Sequence, residues 1–445
     1  MSTIAYIFKI NFKSSDRKRP LFKRLFINGL TALSNFRTAK IRIFLLSAKK
    51  IAKFAFANIF VMETFIYNRP VKGLNFIGHR PEIAAVKALI SQGDHIVMYE
   101  PPKAGKTSLL EQSYSNLRSS INPLVVAKLS FQAVRTVEVA ACTIGSAIIT
   151  SSFTGTVAIQ EAVATYLSGS GFRFDPKAYA QKGLALKLSG QLDEIDLRTI
   201  LALPSRMPHS SAGGKMVVQI EEFQNIMQCE RGEWFCKVFE KFLSEAAEDP
   251  QKCVSWVFCG SMYNAMKAIF EGTKYFYKIV NRVRIESVDP KEMVEHVNRS
   301  FLSGGKVLDK ELILEACQKF KFNQWYVNHY FAICDSLSRG YITNPVLEES
   351  MESLIAIHEP KFHAITNDLT TFQVGLLRAV VDGHKKFSSS EIIKQYGLNS
   401  SANVHRLKEA LCKKEILTFN DEDEPSFIDP LFEYWVTRFF FEIKK

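Results

Sequence analysis

The sequence predicts an α/β fold, a three-layer sandwich built around a parallel sheet, followed by a helical lid and a winged helix-turn-helix domain. Three observations carry that expectation. Short apolar, β-branched runs alternate with stretches of helical spacing as far as residue 289. From Pro290 the strand pattern stops and helical spacing takes over. From Thr370 a third rhythm begins, with three short helical stretches and then two short strands around an acidic turn.

The segment "EIAAVKALISQG" from Glu82 has helical periodicity and ends at Gly93, a C-cap residue. "HIVMY" then reads as a strand, a Gly-Lys-Thr follows at residues 105–107, and "SLLEQSYSNLR" returns to helical spacing. Further strands are expected at residues 123–131, 215–220, 253–260 and 282–287, with the stretch from "SGSGFRFDPKAY" through "LPSRMPHSSAGG" reading as loops. "PKEMVEHVNRSFL" and "NQWYVNHYFAICDSLSRG" are helices of the region from 290 to about 360. "TFQVGLLRAVVDG", "SSSEIIKQYG" and "SSANVHRLKEALCKKEI", followed by "LTFNDEDEPSFIDPLFEYWVTRFFF", describe the winged helix. The expected division is therefore a basic stretch over 1–61, a nucleotide domain over 62–289, a lid over 290–362 and a winged helix over 363–445.

At 445 residues, 47% apolar and 23% charged, the chain belongs with globular rather than disordered proteins. Its net charge of +12 lies entirely in residues 1–61, which hold 13 Lys/Arg and one acid, while the rest carries 44 of each sign. The globular part therefore has no overall nucleic-acid signature. The opening stretch reads as a targeting segment, a membrane-surface or phosphate-binding arm, or an extension upstream of a natural start at Met62. Lys49, Lys50 and Lys53 break its apolar run short of the roughly 20 residues a spanning helix needs, so no membrane span and a cytoplasmic location are expected. Eight cysteines without a Cys-x-x-Cys read as reduced core thiols, not as a metal site or a nucleophile.

The chemistry concentrates in "HIVMYEPPKAGKTSLLEQ", a strand-to-helix junction. There the backbone N–H groups of the turn and the positive end of a helix converge on an anion, and a lysine adds a full charge. The expected donors are the amides of Lys103, Ala104, Gly105, Lys106, Thr107 and Ser108, with Lys106 reaching the β- and γ-phosphates of ATP and the Thr107 hydroxyl ligating Mg²⁺. Glu100 stands where the Gly-x-x-x-x-Gly-Lys-Ser/Thr pattern begins with glycine. It needs a backbone shape that glycine adopts freely, and its carboxylate must turn away from the phosphates. "MVVQIEEFQ" puts Glu221 and Glu222 at the end of a strand, one acid for the metal and one for the attacking water, or else the two begin a solvated helix.

Residues 62–445 resemble the archaeal-type P-loop ATPase family, a branch near the AAA+ and STAND proteins. "FIGHRPEI" is similar to the family's Phe-x-Gly-Arg-x-x-Glu box, with His79 for its arginine; "IEEFQ" to its Asp-Glu-Phe-Gln; and "FCGSMYNAM" to its Gly-Ser sensor stretch. The family also accepts Glu-Pro-Pro openings of the phosphate loop. The resemblance implies a P-loop NTPase sandwich that uses ATP and Mg²⁺, with Glu222 as catalytic base, Ser261 as polar sensor and Glu221 in the place of the family's aspartate. It further implies Arg282 or Arg284 as an arginine finger or sensor, unless both lie on an exposed strand edge. Hydrolysis would be slow and serve as a conformational switch; the alternative is a non-hydrolysing scaffold or a DNA-binding regulator.

In the winged helix, His405, Arg406, Lys408, Lys413 and Lys414 lie on the stretch that would enter a major groove. Against this, residues 370–445 hold 11 bases and 11 acids, and the wing turn is "DEDE" at residues 421–424. A protein partner, self-association or an intramolecular role is expected, with DNA as the alternative. Phe432, Trp435, Phe439 and Phe440 read as a stripe docking on the ATPase module.

Overall fold

The computed structural model describes residues 64–211, 213–246, 253–271 and 275–443; the expectations for residues 1–61 lie outside them. Helix α1 (Arg80–Gln92) has Pro81 in its first turn and closes on Gly93 at φ 77°. Strand β1 (His95–Tyr99) leads through the Gly-Lys-Thr into α2 (Lys106–Leu117). Then come β2 (Leu124–Ser130), α3 (Val137–Ser152) and α4 (Thr156–Tyr166). They are followed by β3 (Phe172–Phe174), α5 (Pro176–Lys182), β4 (Leu186–Leu188) and α6 (Glu194–Ala202). Strand β5 (Lys215–Glu221), α7 (Gly232–Ala246), β6 (Val254–Gly260), α8 (Tyr263–Phe270) and β7 (Val280–Arg282) complete the α/β layers.

The sheet is parallel throughout, in the order β2-β5-β6-β1-β7. Side chains alternate across it with the period of two that a strand imposes. Ile96, Met98, Val217, Val257 and Cys259 face α1 and α2, packing on Val86, Ile90, Leu109 and Leu110. Val97, Tyr99, Met216, Val218, Ile220, Trp256 and Phe258 face the opposite layer. Gln219 interrupts the first of these apolar faces. Its side-chain oxygen accepts a 2.8 Å bond from the Tyr114 hydroxyl of α2, so neither buried polar group is left unpaired.

Two expectations are corrected here. The fifth strand lies at Val280–Arg282, not 282–287, because it pairs with β1 only over His95 to Val97. Beyond that register carboxylates replace the ladder: Ile285 N–H donates to Glu100 and Glu286 N–H to Glu82. The stretch expected as loops contains the β3–β4 antiparallel pair, α5 and α6. Strands of three residues are too short to show a period, although Asp175 and Asp193, the N-caps of α5 and α6, mark the helix starts.

Beyond the sheet come α9 (Pro290–Ser303), α10 (Lys310–Lys319), α11 (Gln324–Leu337) and α12 (Asn344–Asn367). A winged helix-turn-helix follows: α13 (Thr371–Val381), α14 (Ser390–Gln395), α15 (Ser401–Lys413), and the antiparallel ribbon of β8 (Leu417–Phe419) and β9 (Pro425–Phe427). A single buried cluster runs from Met293 of α9 through Phe331, Leu354, Leu376 and Leu411 to Trp435. The four long helices and the winged helix thus share one core. In the last helix, α16 (Pro430–Trp435), Phe432 and Trp435 pack on Phe362 of α12, each at 5.5 Å between ring centroids. Phe439 and Phe440 are 50% and 37% exposed. The aromatic stripe therefore docks on α12 rather than on the α/β layers, and only half of it docks.

Phe258 is fully buried with its ring 4.8–5.4 Å from those of Phe223, Phe239, Phe270 and Phe276. Phe258→Ala is expected to cost about 3–5 kcal/mol, read as a lowered thermal midpoint, since close-packed rings cannot collapse into the void. A second expectation concerns acid. Burial lowers the pKa values of His296, His329 and His358 to about 4, with Lys103 adding to the effect at the last two and Arg299 at the first. Between pH 4 and about 6.5 the unfolded chain binds more protons than the folded one. The stability these groups allow is therefore complete above pH 6.5 and is lost as pH falls through 4. Thermal melts from pH 7.5 to 4.5 check this, and a His329→Gln/His358→Gln chain should show a shallower decline.

Candidate functional site

The carboxyl ends of β1, β5 and β6 lie side by side, the edge of an open parallel sheet where ligands are held. The loop after β1 wraps back on itself. Lys103 adopts φ 71° and Gly105 φ 93°, left-handed positions that turn successive amides to one side and deliver the chain into α2. A Cβ at Gly105 would meet nothing within 4 Å, so the glycine is required by backbone shape and not by crowding. The Ala104 N–H is taken by Pro101 O at 3.3 Å, which removes one of the six expected donors. The amides of Lys106, Thr107 and Ser108 belong to the first turn of α2, whose N–H groups have no partner within the helix. The Ser108 hydroxyl accepts from Val71 N–H at 3.1 Å and so holds the segment before α1 against the loop.

Glu100 does not need glycine's freedom, since its backbone stays out of the left-handed region. Its carboxylate turns towards β7, accepting from Ile285 N–H at 3.4 Å and lying 3.9 Å from Arg282. Only its carbonyl points into the loop. That oxygen and the carbonyl of Pro101 accept from the Lys106 ammonium at 2.5 and 3.0 Å. Lys106 is only 9% exposed; burial lowers its pKa, and the nearby Cys259, Glu100, Glu221 and Glu222 oppose that shift.

Glu221 ends β5 on the face of Gln219, whose amide donates to it, and burial raises its pKa. Glu222 is left-handed at φ 55°, a cost for a non-glycine residue that accompanies functional sites. Its carboxylate accepts from the Ser261 hydroxyl and from the Gln224 amide, both at 2.6 Å. The structure thus brings Lys106, Thr107, Glu221, Glu222 and Ser261 to one edge. Glu222 precedes a short 3-10 helix, Phe223–Gln228, whose Phe223, Gln224 and Ile226 are buried, so the two glutamates do not begin a solvated helix.

The two arginines part ways. The Arg282 guanidinium lies 4.1 Å from the Tyr99 ring centroid, is ion-paired with Glu271 and reaches the Tyr263 hydroxyl at 3.3 Å. Those contacts anchor the β7 edge and hold Arg282 beside Glu100, where its charge opposes the rise in pKa that burial gives that carboxyl. Arg284 is 65% exposed and lies 4.0 Å from Glu271. His79 sits at φ 55° as the N-cap residue of α1, 3.4 Å from Glu82, so the box ties α1 to the segment after β7.

Three contacts were not legible in the sequence. The Lys103 ammonium lies over the rings of Trp325 and Tyr326 in α11, 3.6 and 5.1 Å from their centroids. Burial lowers its pKa to about 8 against the pull of Asp429. The Tyr326 hydroxyl donates to Asp429, the N-cap residue of α16, at 2.8 Å. From the other side, both oxygens of Glu415 accept backbone N–H groups of α8, those of Asn264 and Ala265, at 3.1 Å. The single signal was Met262, a side chain that cannot cap the helix it precedes.

Residues 360–438 match the family described as "Probable winged helix domain". No curated protein matches the chain. Among solved structures, a Walker-type ATPase of Pyrococcus abyssi is similar over 83% of this chain and 98% of its own, at 14% identity and TM-score 0.56. The Aeropyrum pernix ORC2 protein, in its ADPNP-ADP complexes, matches 81% of this chain and 93% of its own, at 11% identity and TM-score 0.48. The chain has the P-loop NTPase fold of Walker-type ATPases, extended by helices into a C-terminal winged helix-turn-helix.

Proposed function

We propose that the chain binds ATP with Mg²⁺ at the carboxyl edge of its sheet and hydrolyses it slowly, using the nucleotide state as a signal to the lid and the winged helix. The observation that carries this reading is the Glu222–Ser261 pair, held at 2.6 Å on the strand ends beside the buried ammonium of Lys106. A cation, a carboxylate and a hydroxyl at the mouth of a helix N-terminus suit a transferring phosphoryl group and the water that attacks it.

In this reading Lys106 leaves the carbonyls of Glu100 and Pro101 for the β- and γ-phosphates, and the first amides of α2 hold the same oxygens. Glu222 orients the attacking water and takes its proton, while Ser261 fixes the carboxylate. The Thr107 hydroxyl and Glu221 are the groups that would hold Mg²⁺, with phosphate oxygens and water completing a shell that needs only one or two carboxylates. Bound there, the ion would supply charge neutralisation at the phosphates. Glu221 is one methylene longer than an aspartate, which suits a water-mediated contact. Arg284, exposed on the β7 side, is the better placed of the two arginines to reach a neighbouring molecule; Arg282 is committed to Glu271.

The link to the switch is Lys103. It contributes to the phosphate loop and lies on Trp325 and Tyr326, and Tyr326 is bonded to the start of α16. Residues 290–362 act as the lid and 363–445 as the reporting winged helix. Among the described residues no helix is long and apolar enough to cross a membrane, and we read the protein as cytoplasmic.

Turnover of MgATP by the chain, set beside Lys106→Ala and Glu222→Gln, tests the assignment. Lys106→Ala should lose nucleotide binding, and Glu222→Gln should bind as wild type and turn over about a hundredfold more slowly, the typical worth of a positioned base. Binding without any wild-type turnover would replace the ATPase by a nucleotide-binding scaffold.

The winged helix is read as a protein-facing and internal module. On α15, Lys408 pairs with Asp423 of the wing, and at its end Lys414 pairs with Asp368; Lys385 pairs with Glu424 of the wing. The acidic turn thus neutralises bases that a phosphate backbone would need. Duplex DNA titrated with the full chain at low salt is expected to give no shift; a salt-sensitive shift would restore the DNA-binding reading.

A further inference from the structure

Helix α8 begins two residues after Ser261, and nothing local caps it. Met262 stands at the N-cap with no side-chain acceptor to offer. The cap comes instead from the winged helix, 150 residues away in the chain. Glu415, at φ 55° just past the end of α15, aims both carboxylate oxygens at the first amides of α8, 3.1 Å from Asn264 N and from Ala265 N. Around it the Asn264 side chain donates to Cys412 O at 3.0 Å and to Leu417 O at 2.9 Å, and the Lys267 ammonium donates to Phe419 O at 3.1 Å.

An anion at the positive end of a helix is favourable, and the α8 amides that Glu415 accepts oppose the rise in pKa that burial gives its carboxyl. The position of the first turn of α8 fixes the two-residue link to β6. That link carries the hydroxyl donated to Glu222. A path therefore runs from Glu415 to the α8 amides, back along the chain through Met262 to Ser261, and on to Glu222.

We infer that Glu415 is a positioning residue for the Glu222–Ser261 pair, and that docking of the winged helix regulates turnover by capping α8 from outside the ATPase module. The inference rests on the proposed ATPase reading. Its logic is that of a coupling energy: whatever lifts the winged helix uncaps α8 and frees Ser261, and whatever orders Ser261 at the nucleotide favours the docked winged helix. Glu415 never touches the nucleotide, so its loss should alter rate rather than binding.

The test uses the full chain and the variants Glu415→Ala and Glu415→Gln. Hydrogen exchange is followed over residues 261–270 and 401–419, alongside the Kd for a fluorescent ATP analogue and the kcat and KM for MgATP. In Glu415→Ala, exchange over 261–270 should quicken, Kd and KM should stay within about twofold of wild type, and kcat should fall about fivefold, the effect of losing one cap. Glu415→Gln keeps one acceptor oxygen, so it should lie between the two and serves where the alanine variant does not fold. Unaltered exchange over 261–270, or unaltered kcat with quickened exchange, would overturn the inference. A wild-type chain without turnover would refute the ATPase reading instead, and the exchange over 261–270 would still decide whether Glu415 sets the position of Ser261.

Discussion

A buried ammonium organises the carboxyl edge of the sheet. Taking the charge of Lys106 out of water is expensive unless oxygen atoms surround it, and the loop supplies them from its own backbone, through the carbonyls of Glu100 and Pro101. The rest follows from that demand. For the Glu100 carbonyl to face Lys106, its side chain must turn to the other side, where Arg282 and the amide of Ile285 receive it. That in turn ends the pairing of β7 after three residues and fixes where the segment towards α9 leaves the sheet.

The alternation of strands and helices made the parallel sheet legible, because β-branched runs of five to seven residues have few other homes. The strand-to-helix setting of the Gly-Lys-Thr likewise marked the edge where ligands are held. What stayed hidden was whatever depends on direction rather than type. Nothing in "YEPPKAGKT" says that the Glu100 side chain leaves the loop while its carbonyl enters it. Nothing near Ser261 says that a glutamate in the winged helix caps the next helix, since that partner lies far along the chain. The short β3–β4 pair was missed for a simpler reason: three residues do not establish a period.

Sharing of one core by α9–α12 and the winged helix sets how the molecule can move. Met293, Phe331, Leu354, Leu411 and Trp435 belong to a single buried cluster, and separating the two would expose it to water. They are therefore expected to move together. The contacts of the loop after β1 and of α8 with that body are of another kind, a cation over rings, a carboxylate on amides and a lysine on a carbonyl, whereas the segment before α1 joins the shared core through Phe65 and Ile77. Polar contacts of that sort exchange for water or for phosphate more readily than the apolar ones around Phe65 do.

The bond between Tyr114 and Gln219 has a bearing on how the sheet is assembled. Strand β5 is otherwise apolar on both faces from Met216 to Ile220, so its hydrophobic pattern by itself does not tell one register from the next. A slip of one residue would swing the Gln219 amide to the opposite layer and leave the Tyr114 hydroxyl facing hydrocarbon without a partner, at about 1–3 kcal/mol for that group alone. The same slip would carry Glu221 and Glu222 off the strand ends. One polar peg in a greasy strand thus checks, during folding, that the two carboxylates arrive opposite the lysine they are meant to serve.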